Sequence, residues 1–129
     1  MNRDLIANAV QARENALAPF SGFKVGAAIV TADGRIYTGC NVENASYGLT
    51  ICAERAAVFH AVAAGQKQFQ RLALATTGGA TPCGACRQVL AEFAPELPIL
   101  LINVDQPNAI VEVNLRDLLP GAFSLNTDN

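Results

Sequence analysis

Three cysteines and one glutamate have the types and the spacing that could do chemistry in this sequence. Cys52 and Glu54 stand in one short stretch, and Cys83 and Cys86 stand in a second, three positions apart. Residues three apart on a helix share one face, so Cys83 and Cys86 can hold one metal ion between them. Cys52 would complete a set of three thiolates, a donor set that suits zinc.

A site with three protein ligands has the form of a catalytic zinc centre. Structural zinc is held by four protein ligands, whereas catalytic zinc keeps its fourth position open to water. Such a water needs a base to take its proton, and Glu54 is the candidate base. If Cys40 is a fourth ligand, the site is instead closed and structural.

A redox site is another alternative, because Cys83-Gly84-Ala85-Cys86 follows a predicted strand and opens a predicted helix. A thioredoxin-like site has this arrangement. The Cys52–Glu54 pair and the absence of Trp from the sequence weigh against it.

Helix geometry restricts where Cys52 can lie. Residues two apart in a regular helix point to nearly opposite sides, so Cys52 and Glu54 cannot both face one ion from the middle of a helix. We therefore predict that Cys52 stands at the helix entry and Glu54 in the first turn, where the positive helix end favours a thiolate. His60 lies about 12 Å further along the same axis, too far to share an ion with Cys52.

The elements that position these residues follow from hydrophobic periodicity and turn signals. The order of helices and strands suggests a mixed sheet covered by helices on both faces, in one domain spanning residues 1–129. The predicted elements are a helix over 4–17, strands over 25–30 and 36–41, a helix over 52–64, a strand over 71–77, a helix over 83–93, strands over 98–104 and 109–113, and a short helix over 115–119. We expect the Ala-rich helix over 52–64 to be nearly fully buried.

The motifs resemble those of the zinc-dependent cytidine deaminases. The sequence has C-A-E at 52–54 and P-C-G-A-C at 82–86. This pattern resembles the signature of nucleoside and nucleotide deaminases, with Cys in place of the His that is the first metal ligand. Segments 18–28, 39–44 and 119–123 are also similar to the small homotetrameric members, so the resemblance covers roughly residues 5–123. It implies a three-layer α/β/α fold with a five-stranded mixed sheet, one Zn²⁺ per chain, and a homotetramer whose active sites are shared between subunits.

The resemblance also implies an activity. The expected reaction is hydrolytic deamination of cytidine and 2′-deoxycytidine to uridine and 2′-deoxyuridine with release of ammonia, a step of pyrimidine salvage. Glu54 would move the protons, and Arg55 would donate hydrogen bonds to the ligand sulfurs and reduce their charge. Some relatives deaminate blasticidin instead, but Asn41-Val42-Glu43-Asn44 is similar to the nucleoside form.

Substrate contacts are the remaining implication of the resemblance. Asn41 and Glu43 would hold the ribose 3′-hydroxyl, and residues two apart in a strand do share a face. The alternative is a pair that satisfies local backbone groups. Phe123 would stack on the base from a neighbouring subunit. The implied substrate-binding residues are Phe23, Asn41, Glu43, Tyr47, Ala53 and Phe123.

The composition of the chain restricts the kinds of partner that we expect it to bind. The net charge of −2 and the pI near 5.2 give no electrostatic footprint for a phosphate backbone, so we expect no nucleic-acid partner. No apolar run approaches the roughly 20 residues that a membrane span needs. We expect a cytoplasmic protein, because no secretion signal is evident and four cysteines suit a reducing compartment as metal or catalytic groups.

Overall fold

The structure, a computed structural model, describes residues 2–125. Its helices are α1 (Asn2–Arg13), α2 (Ala53–Ala63), α3 (Gly84–Phe93) and α4 (Leu115–Leu118), and a 3₁₀ turn spans Tyr47–Leu49. Its strands are β1 (Gly26–Thr31), β2 (Ile36–Cys40), β3 (Phe69–Thr76), β4 (Pro98–Asn103) and β5 (Ile110–Asn114). The predicted order of elements is confirmed. Among these residues, no helix has both the length and the apolar content that crossing a membrane requires.

The end of α1 differs most from its predicted position. The helix ends at Arg13 and not at residue 17. After Arg13 the backbone hydrogen bonds span three residues and not four, as in a 3₁₀ turn. The Leu17 amide then donates to the Asn41 carbonyl at 2.9 Å. Leu17 also forms a parallel bridge with Val42, so pairing with the chain after β2 draws residues 14–17 out of the helix.

The five strands form one mixed sheet in the order β2-β1-β3-β4-β5. β1 lies antiparallel to both β2 and β3, β4 lies parallel to β3, and β5 lies antiparallel to β4. A parallel pair needs a long crossover, and α3 provides it between β3 and β4. The predicted five-stranded mixed sheet is confirmed.

Helices cover both faces of this sheet. Ala27 and Ile29 point to the face where α2 and α3 pack, and they belong to one hydrophobic core. Ala28, between them in β1, points to the opposite face and packs in a second core with Leu5 and Ala9 of α1. This alternation follows from the two-residue period of a strand. The predicted three-layer α/β/α arrangement is confirmed.

Glycine in β2 lets α2 approach the sheet closely. A Cβ atom at Gly39 would lie 2.4 Å from the Ala57 nitrogen and 2.5 Å from the Ala53 carbonyl oxygen, so no larger residue fits there. Because Ala53 is the first residue of α2, this contact fixes where the helix begins. It thereby places Cys52 and Glu54.

One expectation about α2 was wrong. Its Ala-rich sequence suggested a nearly fully buried helix, but Phe59 is 50% exposed and Val62 is 37% exposed. The small residues of the opposite side, such as Ala57 and Ala61, pack on the sheet. The composition of a helix indicates that it is apolar, but it does not indicate how many faces of the helix pack against the rest of the chain. Phe59 and Val62 are called the outer face of α2 below.

Gly39→Ala should destabilise the protein by about 3 kcal/mol or more, because overpacking against backbone atoms cannot be relieved by side-chain rotation. Chemical denaturation measures the free energy of unfolding. Gly48→Ala is the matched control, since a Cβ at Gly48 meets no atom within 4 Å. Equal stability of the two variants would contradict the close packing of α2 on β2.

Candidate metal centre and active site

Cys52 and Cys83 each occupy the N-cap of a helix. Their backbones are extended, with φ/ψ of −75°/154° at Cys52 before α2 and −68°/167° at Cys83 before α3, and neither side chain caps its own helix. Glu54 lies in the first turn of α2, as helix geometry predicted. Two sulfur atoms are thus presented from two positive helix ends and stay available to a ligand.

The three sulfur atoms of Cys52, Cys83 and Cys86 lie within 4.8 Å of one another. The Sγ atoms of Cys52 and Cys83 are 3.8 Å apart, and those of Cys83 and Cys86 are 3.4 Å apart. Two sulfurs that are each about 2.3 Å from a tetrahedral zinc lie about 3.8 Å from one another. The cluster therefore has the dimensions of a zinc site.

Ionisation of the cluster supports the same fit. The Cys86 thiol is the largest influence that lowers the pKa of Cys52 to about 5, and the Arg55 guanidinium also contributes. The same contact raises the pKa of Cys86, since a second thiolate beside the first is opposed by like charge and by burial. A divalent cation removes this conflict because it allows all three sulfurs to ionise together.

Arg55 donates a hydrogen bond from Nη2 to the Cys52 sulfur at 3.4 Å. This hydrogen bond is the main cause that raises the pKa of Arg55. The Nε atom of Arg55 is buried and has no hydrogen-bond partner among the described residues. The guanidinium therefore lies against the cluster, where it offsets part of the negative charge.

Glu54 is nearly fully buried, with 4% of its surface exposed. Burial raises the pKa of Glu54 to about 7, and the nearby Cys52 thiolate acts in the same direction. A carboxyl group with this pKa can both accept and release a proton near neutral pH, which suits a general acid and base.

Cys52 and Cys83 of the cluster and Glu54 line a cavity of about 190 Å³ between the sheet and the loops at its edge, and Cys86 lies behind them. Six of the predicted site residues line it: Phe23, Asn41, Glu43, Cys52, Glu54 and Cys83. The residues that the sequence did not single out are Ser21, Val25, Leu74, Thr76, Ala80 and Thr81. Thr76 ends β3 and Thr81 precedes Pro82, so their place between a strand end and a ligand loop was the available signal.

A larger cavity of about 450 Å³ lies elsewhere, and residues near the start of α1 and the β1–β2 turn line it. It contains no thiol, and its charged groups are Asp4 and Arg71. Volume alone therefore does not identify the reactive site.

Asn41 and Glu43 hold the segment that carries Phe23. The Asn41 amide accepts from the Val25 nitrogen at 2.9 Å and donates to the Phe23 carbonyl at 2.8 Å. Glu43 Oε1 accepts from the Phe20 nitrogen at 2.9 Å, and Glu43 Oε2 accepts from the Ser21 hydroxyl. The Ser21 hydroxyl is also the main cause that keeps the pKa of Glu43 below its usual value. Both residues thus satisfy backbone groups, and both also line the cavity.

Tyr47, Ala53 and Phe123 do not line this cavity within residues 2–125. Tyr47 is 77% exposed in the 3₁₀ turn, and Phe123 is 69% exposed near the end of the described chain. The Phe123 carbonyl accepts from the Gln88 amide at 3.0 Å, which ties that segment to α3. Ala53 is buried at the start of α2. The substrate roles of these three residues stay predictions.

Cys40 stands apart from the sulfur cluster. It pairs with Gly26 of β1, so its side chain shares the face on which α1 packs, opposite to the face that Gly39 presents to α2. Among residues 2–125, the clustered metal-binding side chains are Cys52, Cys83 and Cys86. The closed four-cysteine alternative is therefore not formed.

His60 is engaged in packing. Its Nδ1–H donates to the Thr38 carbonyl at 3.1 Å, and its ring meets Tyr37 edge-on at 5.2 Å.

Known proteins share this sequence pattern and fold. The sequence profile of the cytidine and deoxycytidylate deaminase zinc-binding region matches residues 1–101. The chain belongs to this family. It is 50% identical to a cytidine deaminase of Sporosarcina psychrophila over 123 residues, which are 93% of this chain and 89% of that protein.

Solved structures agree with this assignment. The crystal structure of cytidine deaminase from Burkholderia pseudomallei superposes with a TM-score of 0.89 at 49% identity, covering 95% of this chain and 99% of that one. The cytidine deaminase of Mycobacterium tuberculosis superposes with a TM-score of 0.82 at 47% identity, covering 95% and 97%.

Cys40→Ser should retain about one zinc per chain after dialysis, whereas Cys86→Ser should lose most of its zinc, because Cys86 belongs to the sulfur cluster and Cys40 does not. Elemental analysis of the purified variants measures the metal content. The two substitutions make the same chemical change, so each controls for the other. Loss of zinc from Cys40→Ser would restore the closed structural alternative.

Proposed function

We propose that this protein catalyses the hydrolytic deamination of cytidine and 2′-deoxycytidine to uridine and 2′-deoxyuridine, with release of ammonia. The observation that carries the proposal is that the buried Glu54 lines one cavity together with Cys52 and Cys83, two members of the three-sulfur cluster. Membership in the deaminase family supports the substrate class.

The protein's own residues supply binding and proton transfer. Cys52, Cys83 and Cys86 would hold one Zn²⁺, which when bound supplies Lewis acidity that makes water a nucleophile near neutral pH. Glu54 takes a proton from the attacking water and passes one to N3 of the pyrimidine ring as C4 becomes tetrahedral. Glu54 then takes the remaining proton from the oxygen bound to C4 and delivers it to the amine, which leaves as ammonia while the C4 carbonyl forms. Water and cytidine are thereby converted into uridine and ammonia.

Arg55 tunes the metal site in this proposal. Three thiolates on a divalent ion leave a net negative charge, which opposes the acidity that the reaction needs. The hydrogen bond from Arg55 to the Cys52 sulfur withdraws part of that charge.

The cavity wall suits a nucleoside. Phe23 would lie beside the base, and Asn41 and Glu43 would offer an amide and a carboxylate to a sugar hydroxyl; the place of all three in the cavity lining supports these roles. The Ala53 backbone at the start of α2 would contact the base. These contacts would favour a nucleoside over blasticidin.

We also propose a homotetramer with shared active sites. The outer face of α2 leaves Phe59 and Val62 exposed, and Tyr47 and Phe123 are exposed at loop positions. Phe59 and Val62 lie one turn apart on the same helix, and neighbouring exposed apolar groups of this kind favour contact with another protein surface. In the tetramer, Phe123 would stack on the base in a neighbouring subunit's cavity, and Tyr47 would reach toward the sugar.

The cellular setting follows from the same proposal. The chain would act as a single domain in the cytoplasm, in pyrimidine salvage, on a small nucleoside and not on nucleic acid. The four free cysteines and the acidic pI of about 5.2 support a reducing compartment and a substrate without a phosphate backbone.

Glu54→Gln should lower kcat for cytidine by about 100- to 10,000-fold, because the amide keeps the shape of the side chain and cannot accept the proton. The ultraviolet change on conversion of cytidine to uridine measures the rate. Glu112→Gln, an exposed change on β5, is the control and should leave the rate unaltered. Rapid turnover by Glu54→Gln would exclude Glu54 as the base. Turnover of blasticidin in place of cytidine by the unaltered protein would favour the alternative substrate.

Mixing Glu54→Gln chains with Phe123→Ala chains should restore activity that neither variant has alone. If Phe123 serves a neighbour's site, a co-expressed equal mixture should recover roughly a quarter of the original rate, since half of the sites keep Glu54 and half of those meet an intact Phe123. Light scattering should give the mass of a tetramer for both variants. A mixture no more active than the average of the two variants would contradict shared sites.

A further inference from the structure

The side chain of Arg87 donates to three acceptors in two separate segments of the chain. Its Nε donates to the Pro82 carbonyl at 2.7 Å and its Nη2 donates to the Thr81 hydroxyl at 3.1 Å. Its Nη1 donates to the Leu118 carbonyl at 2.8 Å. A guanidinium is planar, and its donors have fixed directions, so the three acceptors are held in one rigid arrangement.

The segment that Arg87 contacts has little regular structure of its own. After β3 ends at Thr76, the chain is irregular until α3 begins at Gly84. Gly78 and Gly79 lie in this stretch with φ of 86° and 69°, a region of conformational space in which glycine is favoured. Arg87 thus supplies side-chain hydrogen bonds where strand and helix bonds are lacking.

Cys83 depends directly on this segment. Pro82 precedes it in the chain, and the Cys83 carbonyl accepts the first backbone bond of α3, from the Arg87 nitrogen at 3.0 Å. The main chain of Arg87 therefore holds the Cys83 carbonyl, on the C-terminal side of the Cys83 Cα. The side chain of Arg87 holds the Pro82 carbonyl, on the N-terminal side of the same Cα. Thr81 and Cys83 also line the cavity, so the same contacts shape its wall.

We propose that Arg87 is a positioning residue that fixes the Cys83 sulfur for metal binding by tying residues 81 and 82 to α3 and to the end of α4. This proposal rests on the metal site of the proposed function. A pre-positioned sulfur does not have to be ordered when the ion arrives, so the contact stabilises the metal-bound form more than the metal-free form. A purely structural contact would stabilise both forms equally.

Zinc affinity separates the two roles. Arg87→Met keeps the aliphatic stem and removes every donor, and it should raise the zinc dissociation constant about 10- to 100-fold, the range seen when groups around metal ligands are lost. Arg87→Lys should give a smaller increase, because an ammonium group can donate to one of the carbonyls but not to all three acceptors. Competition with a chromophoric chelator measures the constant without any substrate.

The visible spectrum of the cobalt-loaded protein gives a second readout. Cobalt bound by three thiolates absorbs according to the geometry of its ligands, so a displaced Cys83 sulfur should shift or weaken the bands in Arg87→Met. Arg116→Met is the matched control, because Arg116 forms an exposed ion pair with Glu96 and should leave both readouts unaltered.

An unchanged zinc constant and cobalt spectrum in a folded Arg87→Met would overturn the proposal, even if its melting temperature falls. If Arg87→Met does not fold, Arg87→Lys and Thr81→Val decide the question, since Thr81→Val removes a single acceptor. A zinc constant within about twofold of the original in both would also overturn it. Failure of the unaltered, zinc-loaded protein to deaminate cytidine would refute the proposed function, while the zinc constants would still test Arg87.

Discussion

Mutual repulsion among three closely spaced sulfurs is the constraint on which the rest of the site depends. Cys52 and Cys83 occupy N-cap positions without capping their helices, where Ser or Asp in their place would typically add about 1 kcal/mol each. Their sulfurs instead meet at 3.8 Å, and the Cys52 sulfur raises the pKa of Cys86, the third member of the cluster. The helix starts therefore gain from a cation between them, and metal binding and folding of this region are coupled.

The sheet sets where those helix starts can be. Gly39 brings α2 against β2, and Gly26 brings α1 against the opposite face, where a Cβ would lie 2.1 Å from the Ala9 carbonyl oxygen. Since α2 begins beside Gly39, Glu54 enters the cavity from a rigid turn and not from a loop. A base held in this way loses little freedom when substrate binds, and such preorganisation favours the transition state.

Much of this arrangement could be predicted from the sequence because the information is local. The order of elements follows from periodicity, and the entry position of Cys52 follows from the 100° turn per residue of a helix. The contact of Arg87 with Leu118 could not be predicted, because the two residues are far apart in the sequence and only the folded chain brings them together. The exposed outer face of α2 was missed for a related reason. Apolar composition does not distinguish a face buried in the chain from one left for a partner.

Asn41 and Glu43 have two interpretations, as a pair that binds a sugar hydroxyl and as a pair that satisfies local backbone groups, and the two are compatible. A carboxylate has about four lone-pair sites, and the 20–21 segment uses three of them on Glu43 through two backbone amides and the Ser21 hydroxyl. An amide group can donate two hydrogen bonds and accept two, and the 23–25 segment uses one of each on Asn41. Capacity for a sugar hydroxyl therefore remains on both side chains while they hold the loop. The substrate would then bind to a pair that is already fixed in place, because the loop contacts that occupy the pair also orient it.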